Sequence, residues 1–78
     1  MELNGITDVQ LANRVDAYRR EIDELNTSIL AKKQKFQAHQ LTDEEFKQLT
    51  EESGRLFVAQ WLLEKVEEEQ ARRQQQQQ

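Results

Sequence analysis

The stretch RLFVAQWLLEKV, residues 55–66, holds the only Trp and the densest apolar residues of the chain. On a helical wheel at about 100° per residue, Leu49, Leu56 and Leu63 fall within about 40° of one another, with Phe46, Phe57 and Trp61 continuing that face. Val58, Ala59, Leu62 and Val66 fall on the other side by the same spacing, so the segment is apolar almost all the way round. A helix packed against one neighbour buries one stripe. The second apolar face therefore predicts self-assembly or docking to another protein.

Upstream of this stretch, Thr42-Asp43-Glu44-Glu45 has the T-x-x-E form of a capping box. Leu41 precedes the cap and Phe46 follows at the fourth helical position, the arrangement of a hydrophobic staple. Helix 2 is expected over about 43–73. Ser53-Gly54 is its interior weakness, because Gly costs about 1 kcal/mol relative to Ala in a helix. The readings that stay open there are a kink dividing the helix, or small size that either admits a close helix crossing or leaves room for the indole ring.

Earlier still, Thr7-Asp8-Val9-Gln10 is a second capping box and starts helix 1, expected over about 8–37. Leu11, Val15, Tyr18, Ile22, Leu25, Ile29 and Phe36 form a coiled-coil heptad seam, with Lys32 in the one position that lacks an apolar residue. Outside the seam the helix is charged. Asp16 with Arg20, Arg19 with Asp23, and Arg20 with Glu24 stand four apart, as in stabilising helix-surface pairs. Residues 38–42 form the turn, residues 1–6 a short leader, and the Gln run at 74–78 a disordered tail.

Two helices of about 30 residues, each roughly 45 Å long, joined by a few residues make an antiparallel helical hairpin of the all-α class. Folding at the turn opposes Leu25 to Leu56, Tyr18 to Leu63, and Val15 to Val66, pairings that are apolar on both sides. Two such hairpins would make a four-helix bundle, the expected homodimer. The assembly or partner surface is expected at Phe57, Val58, Trp61, Leu62 and Val66, where aromatic and aliphatic anchors dominate interface energies. The design resembles that of small dimeric helical-hairpin proteins, and no residue motif names a family.

The chain has 78 residues, a third of them charged, no Pro and no Cys. One short domain without disulfides gains its missing core by oligomerising. Without Cys there is neither a thiolate zinc site nor a cysteine nucleophile. His39, the single His, stands in the turn without the Glu-x-x-His spacing of a carboxylate-bridged metal site, since Phe36 precedes it by three. The carboxylates lie on solvated faces or at the helix 2 N-terminus, where the helix dipole favours them. No Gly-rich phosphate loop or nucleophile elbow is present. The chain reads as non-enzymatic, with no cofactor and no metal.

Its apolar runs are too short for the roughly 20 residues of a membrane span, and residues 1–7 lack the pattern of a secretory signal. A cytoplasmic location is the expectation. The function expected is that of a protein-interaction module, an adaptor, scaffold or inhibitor of an unidentified protein, in the manner of small phage or bacterial accessory proteins. The alternative is a nucleic-acid-associated hairpin using Arg19, Arg20, Lys32, Lys33 and Lys35. A net charge of −4, acids interleaved with the arginines, and no aromatic residues among the lysines weigh against it.

Overall fold

The computed structural model describes residues 3–76. Two helices, α1 (Asp8–Gln37) and α2 (Asp43–Gln76), pack against each other as an antiparallel hairpin about 55 Å long. Among the described residues there is no other helix and no strand.

Each helix starts where its cap dictates. The Gln10 N–H donates to Thr7 Oγ1 at 3.1 Å, and the Thr7 N–H donates to Gln10 Oε1 at 3.0 Å. At α2 the Glu45 N–H donates to Thr42 Oγ1 at 3.1 Å, and the Thr42 N–H donates to Glu45 Oε1 at 3.3 Å. Both boxes satisfy amide donors that have no partner within the helix. Phe46, placed as one half of a staple, is more than half exposed, whereas Leu41 is half-buried.

The reversal between the helices is a Schellman turn. The His39 N–H donates to the Phe36 carbonyl at 3.1 Å and the Gln40 N–H donates to the Lys35 carbonyl at 2.8 Å. This geometry needs a left-handed residue, and His39 takes it at φ 58°. His39 acts here through its backbone.

The helices meet along two heptad seams. On α1 the seam is Leu11, Val15, Tyr18, Ile22, Leu25, Ile29 and Lys32, each buried or half-buried. On α2 it is Glu45, Leu49, Glu52, Leu56, Ala59, Leu63, Val66, Gln70 and Arg73, likewise buried or half-buried. Spacings of three and four keep both rows facing the partner helix. The two ends of the hairpin differ in what fills the seam. Far from the turn, Leu3, Leu11, Val15 and Val66 form a cluster with Ile6, Tyr18 and Leu63 packed on it. Near the turn the seam is closed by ion pairs, Lys32 to Glu52 and Lys35 to Glu45.

Phe36 departs from the expected seam and is largely exposed. It lies in the last turn of α1, where the chain is already reversing and Lys35, not Phe36, engages α2 through Glu45. The leader also takes part in the fold. Leu3 is buried, and its carbonyl accepts a hydrogen bond from Arg73 Nη2 at 2.9 Å while Arg73 Nη1 donates to Asp8 at 2.8 Å.

Helix α2 runs unbroken through Ser53-Gly54, so it is not divided there. Ser53 Oγ donates back to the Leu49 carbonyl at 2.8 Å and Thr50 Oγ1 to the Phe46 carbonyl at 3.1 Å, which gives these hydroxyls a partner within the helix. Within the hairpin no close crossing occurs at Gly54: a Cβ placed on it would meet nothing within 4 Å. The helix continues to Gln76, three residues past its expected end, and Gln77 and Gln78 of the expected disordered tail lie outside the described residues.

On the α1 surface the expected pairs Asp16–Arg20, Arg19–Asp23 and Arg20–Glu24 are not formed. Arg19 reaches across to Glu67 on α2 at 3.3 Å instead.

Candidate protein-interaction surface

Once the seam is filled, α2 still carries apolar side chains in solvent. Phe57 is 71% exposed, Val58 52% and Trp61 44%, while Leu62 is half-buried beside them. All four come from one and a half turns of helix, so they form one strip rather than scattered residues. The seam takes the 0° side of α2, centred on Ala59, and the strip occupies roughly 160–300° by the helical period.

Along one edge of this strip runs an open groove of about 460 Å³, lined by Glu21, Gly54, Arg55, Val58, Ala59 and Leu62. Its floor is apolar and its rim is charged. At the next turn, Lys65 Nζ stands 5.6 Å from the Trp61 ring centroid, a cation–π contact that pins the indole against α2. A second groove follows, bounded by Leu3 and Asn4 opposite Trp61 and Lys65.

Val66 does not belong to this surface. It is fully buried, with 0% exposure, between Leu11 and Val15 in the intrachain core. The reason is the true course of the α2 seam. Val66 follows Ala59 by seven residues and lies in the seam with it, while the leucine row Leu49, Leu56 and Leu63 is only half of what faces α1. Gly54, Arg55 and Glu21 were not singled out as surface residues in the sequence. For Gly54 and Arg55 a signal was present, since they precede Val58 by four and three and so lie on its side of the helix.

The five basic residues of the nucleic-acid alternative do not form one patch. Lys32 is held by Glu52, Lys35 by Glu45 and Arg19 by Glu67. Arg20 and Lys33 are exposed and make no ion pair among the described residues. Arg19 and Arg20, being adjacent, point about 100° apart.

These pairs shape the local electrostatics. The Lys35 ammonium, helped by the Thr42 N–H, holds the Glu45 carboxyl below its usual range. Lys32 and then Ser28 do the same for Glu52. Glu69 is lowered to about 2 by hydrogen bonds from Arg72 and Arg73. All three are carboxylates stabilised as anions, the reverse of what a general acid needs at neutral pH. No group of three or more His, Cys, Asp or Glu among the described residues could hold a metal ion. No described helix is long and apolar enough to cross a membrane. Compared with known proteins, the chain matches no family model, no curated protein and no solved structure.

Proposed function

We propose that this chain is a non-enzymatic protein-interaction module, an adaptor, scaffold or inhibitor, that works as a dimeric helical bundle through the Phe57–Val58–Trp61–Leu62 strip. The observation that carries the reading is the exposure of Phe57, Val58 and Trp61 side by side on a helix whose other face is already packed. Large aromatic and aliphatic residues held in solvent on a rigid helix are what an interface uses as anchors. The main surface depressions support the same reading, because each is an open groove without a buried acid–base pair. The pairing of Lys32, Lys35 and Arg19 with carboxylates favours it over the nucleic-acid alternative, since a cation already neutralised releases fewer counterions on binding a phosphate backbone.

The test is a photocrosslinking side chain at Phe57 in the cell that makes the protein. Adducts to protein, whether a second copy or another chain, that disappear with Trp61→Ala are the expected result. Adducts to nucleic acid alone, or none, would overturn the proposal.

A further inference from the structure

The strip on α2 is flanked by charges whose order has a direction. Counting outward from Val58, the residues on its side of the helix stand at offsets of four, seven, eleven and fourteen in both directions, the offsets that keep a row facing one neighbour. Toward the turn these are Gly54, Glu51, Lys47 and Glu44. Toward the C-terminus they are Leu62, Lys65, Glu69 and Arg72. Gly54 and Leu62 at the first offset are uncharged, and the sign of the charge inverts at the other three: Glu51 against Lys65, Lys47 against Glu69, and Glu44 against Arg72.

Such a row is complementary to itself when reversed. From it we infer that the occupant of this face is a second copy of the same chain, with the two α2 helices antiparallel and their two-fold axis at Val58. The inference rests on the reading of the strip as the surface of a dimeric bundle and adds the orientation and register of the two copies. Each of the three charge pairs then occurs twice, and Trp61 lies beside the second copy's Arg55. In a parallel arrangement of equal register every one of these charges would meet its own like, at a cost rather than a gain.

Three features of the isolated hairpin fit this arrangement. Glu44, Lys47 and Glu51 are exposed and make no ion pair among the described residues, so the turn-proximal half of the row has its charges available, whereas in the C-terminal half Lys65 is paired with Glu68 and Glu69 with Arg72 and Arg73, contacts that the second copy would have to share. Gly54 has open space where a side chain would stand, and reversal about Val58 sets the second copy's Leu62 opposite it. The row lies about 110–120° round α2 from the seam that faces α1, so α2 can touch both neighbours at once, as in a four-helix bundle.

Cysteine crosslinking reads the register directly, because the chain has no Cys of its own. A disulfide needs Cα atoms within about 7 Å. Val58→Cys at the axis is expected to form a disulfide-linked dimer on mild oxidation. Lys47→Cys is expected to stay unlinked, being separated from its copy by 22 residues of helix, or about 33 Å. Glu51→Lys and Lys65→Glu should each weaken self-association on the order of tenfold. An equimolar mixture of the two should regain wild-type association, since both contacts are then of opposite charge again.

Efficient linking through Lys47→Cys would mean a parallel pair and overturn the inference. So would a mixture no tighter than its components, or a wild-type molar mass that stays at 9.3 kDa across the concentration range. A chain that is monomeric when purified, yet crosslinks from Phe57 to a different protein, would remove this inference together with the dimeric part of the proposed function, and leave the strip standing as a docking surface for that protein.

Discussion

Lys32 of α1 and Glu52 of α2 face each other at seam positions, where apolar residues are the rule, and are joined at 2.5 Å with side chains only 14% and 15% exposed. Ser28 accepts a second hydrogen bond from the same ammonium at 2.7 Å. The contact occupies the one place where the α1 seam lacks an apolar side chain. A charge pair so placed disfavours alternative registers, because sliding one helix by a heptad would set Lys32 against Ala59 or Glu45 and leave a charge misplaced.

Replacing either partner alone is expected to destabilise the hairpin, since the remaining charge keeps its desolvation without its counterion. Replacing both, as Lys32→Leu with Glu52→Leu, should give a protein at least as stable as the wild type, by about 1 kcal/mol or more. Urea melts of the two single variants and the double variant measure this. A double variant less stable than both singles would contradict the account of the pair as a register device.

His39 offers a cleaner backbone test. Its φ of 58° costs a Cβ-bearing residue roughly 1 kcal/mol, which Gly avoids. His39→Gly should therefore raise the unfolding free energy by up to about 1 kcal/mol, partly offset by the greater freedom of Gly in the unfolded chain. His39→Val should lower it, because a β-branched residue tolerates that region poorly. Thermal melts of the two variants beside the wild type measure both effects.

Acid should loosen the hairpin at both ends. Glu45 and Glu52 near the turn, and Glu69 near the leader, have carboxyl pKa values below the ordinary 4.5, with Glu69 at about 2. A carboxylate depressed on folding contributes stability that is whole above its unfolded value and is lost as pH falls through its folded value. The midpoint of urea unfolding should thus be flat from pH 7 to about 5 and fall between about pH 4.5 and 2. Glu69→Gln should reduce the lower part of that fall, and an unchanged acid profile in that variant would remove Glu69 as its source.

The hairpin itself was legible from the sequence because its punctuation is local. Thr7 with Gln10 and Thr42 with Glu45 announce both helix starts, and the α1 seam is apolar enough for its period to show. The α2 seam was half hidden. Glu45, Glu52, Gln70 and Arg73 alternate in it with Leu49, Leu56, Ala59, Leu63 and Val66, and a charge at a seam position reads as solvent exposure until its counterion on the other helix is known. Weighting the leucines alone turned the expected buried face by part of a turn and placed Val66 outside it. Phe57, Val58 and Trp61 were less sensitive to that error because they lie farther from the seam on any rotation. What covers them is not in the apolar periodicity, and the order of charges on the row through Val58 carries it instead.

The same displacement gives a contrast between two valines eight residues apart. Val66 is completely buried among Leu3, Leu11 and Val15, whereas Val58 is half exposed on the strip. Val66→Ala should cost about 2 kcal/mol through lost burial and an unfilled cavity, a large part of the stability of a domain this size. Val58→Ala should change the unfolding free energy of the hairpin by no more than about 0.5 kcal/mol, as surface substitutions do. Both are compared in urea at one low protein concentration, because an assembly that forms through Val58 makes apparent stability rise with concentration. Raising the concentration should then stabilise the wild type and the Val66→Ala variant in parallel, and the Val58→Ala variant less. An equal response in all three would detach Val58 from assembly while leaving Val66 in the core.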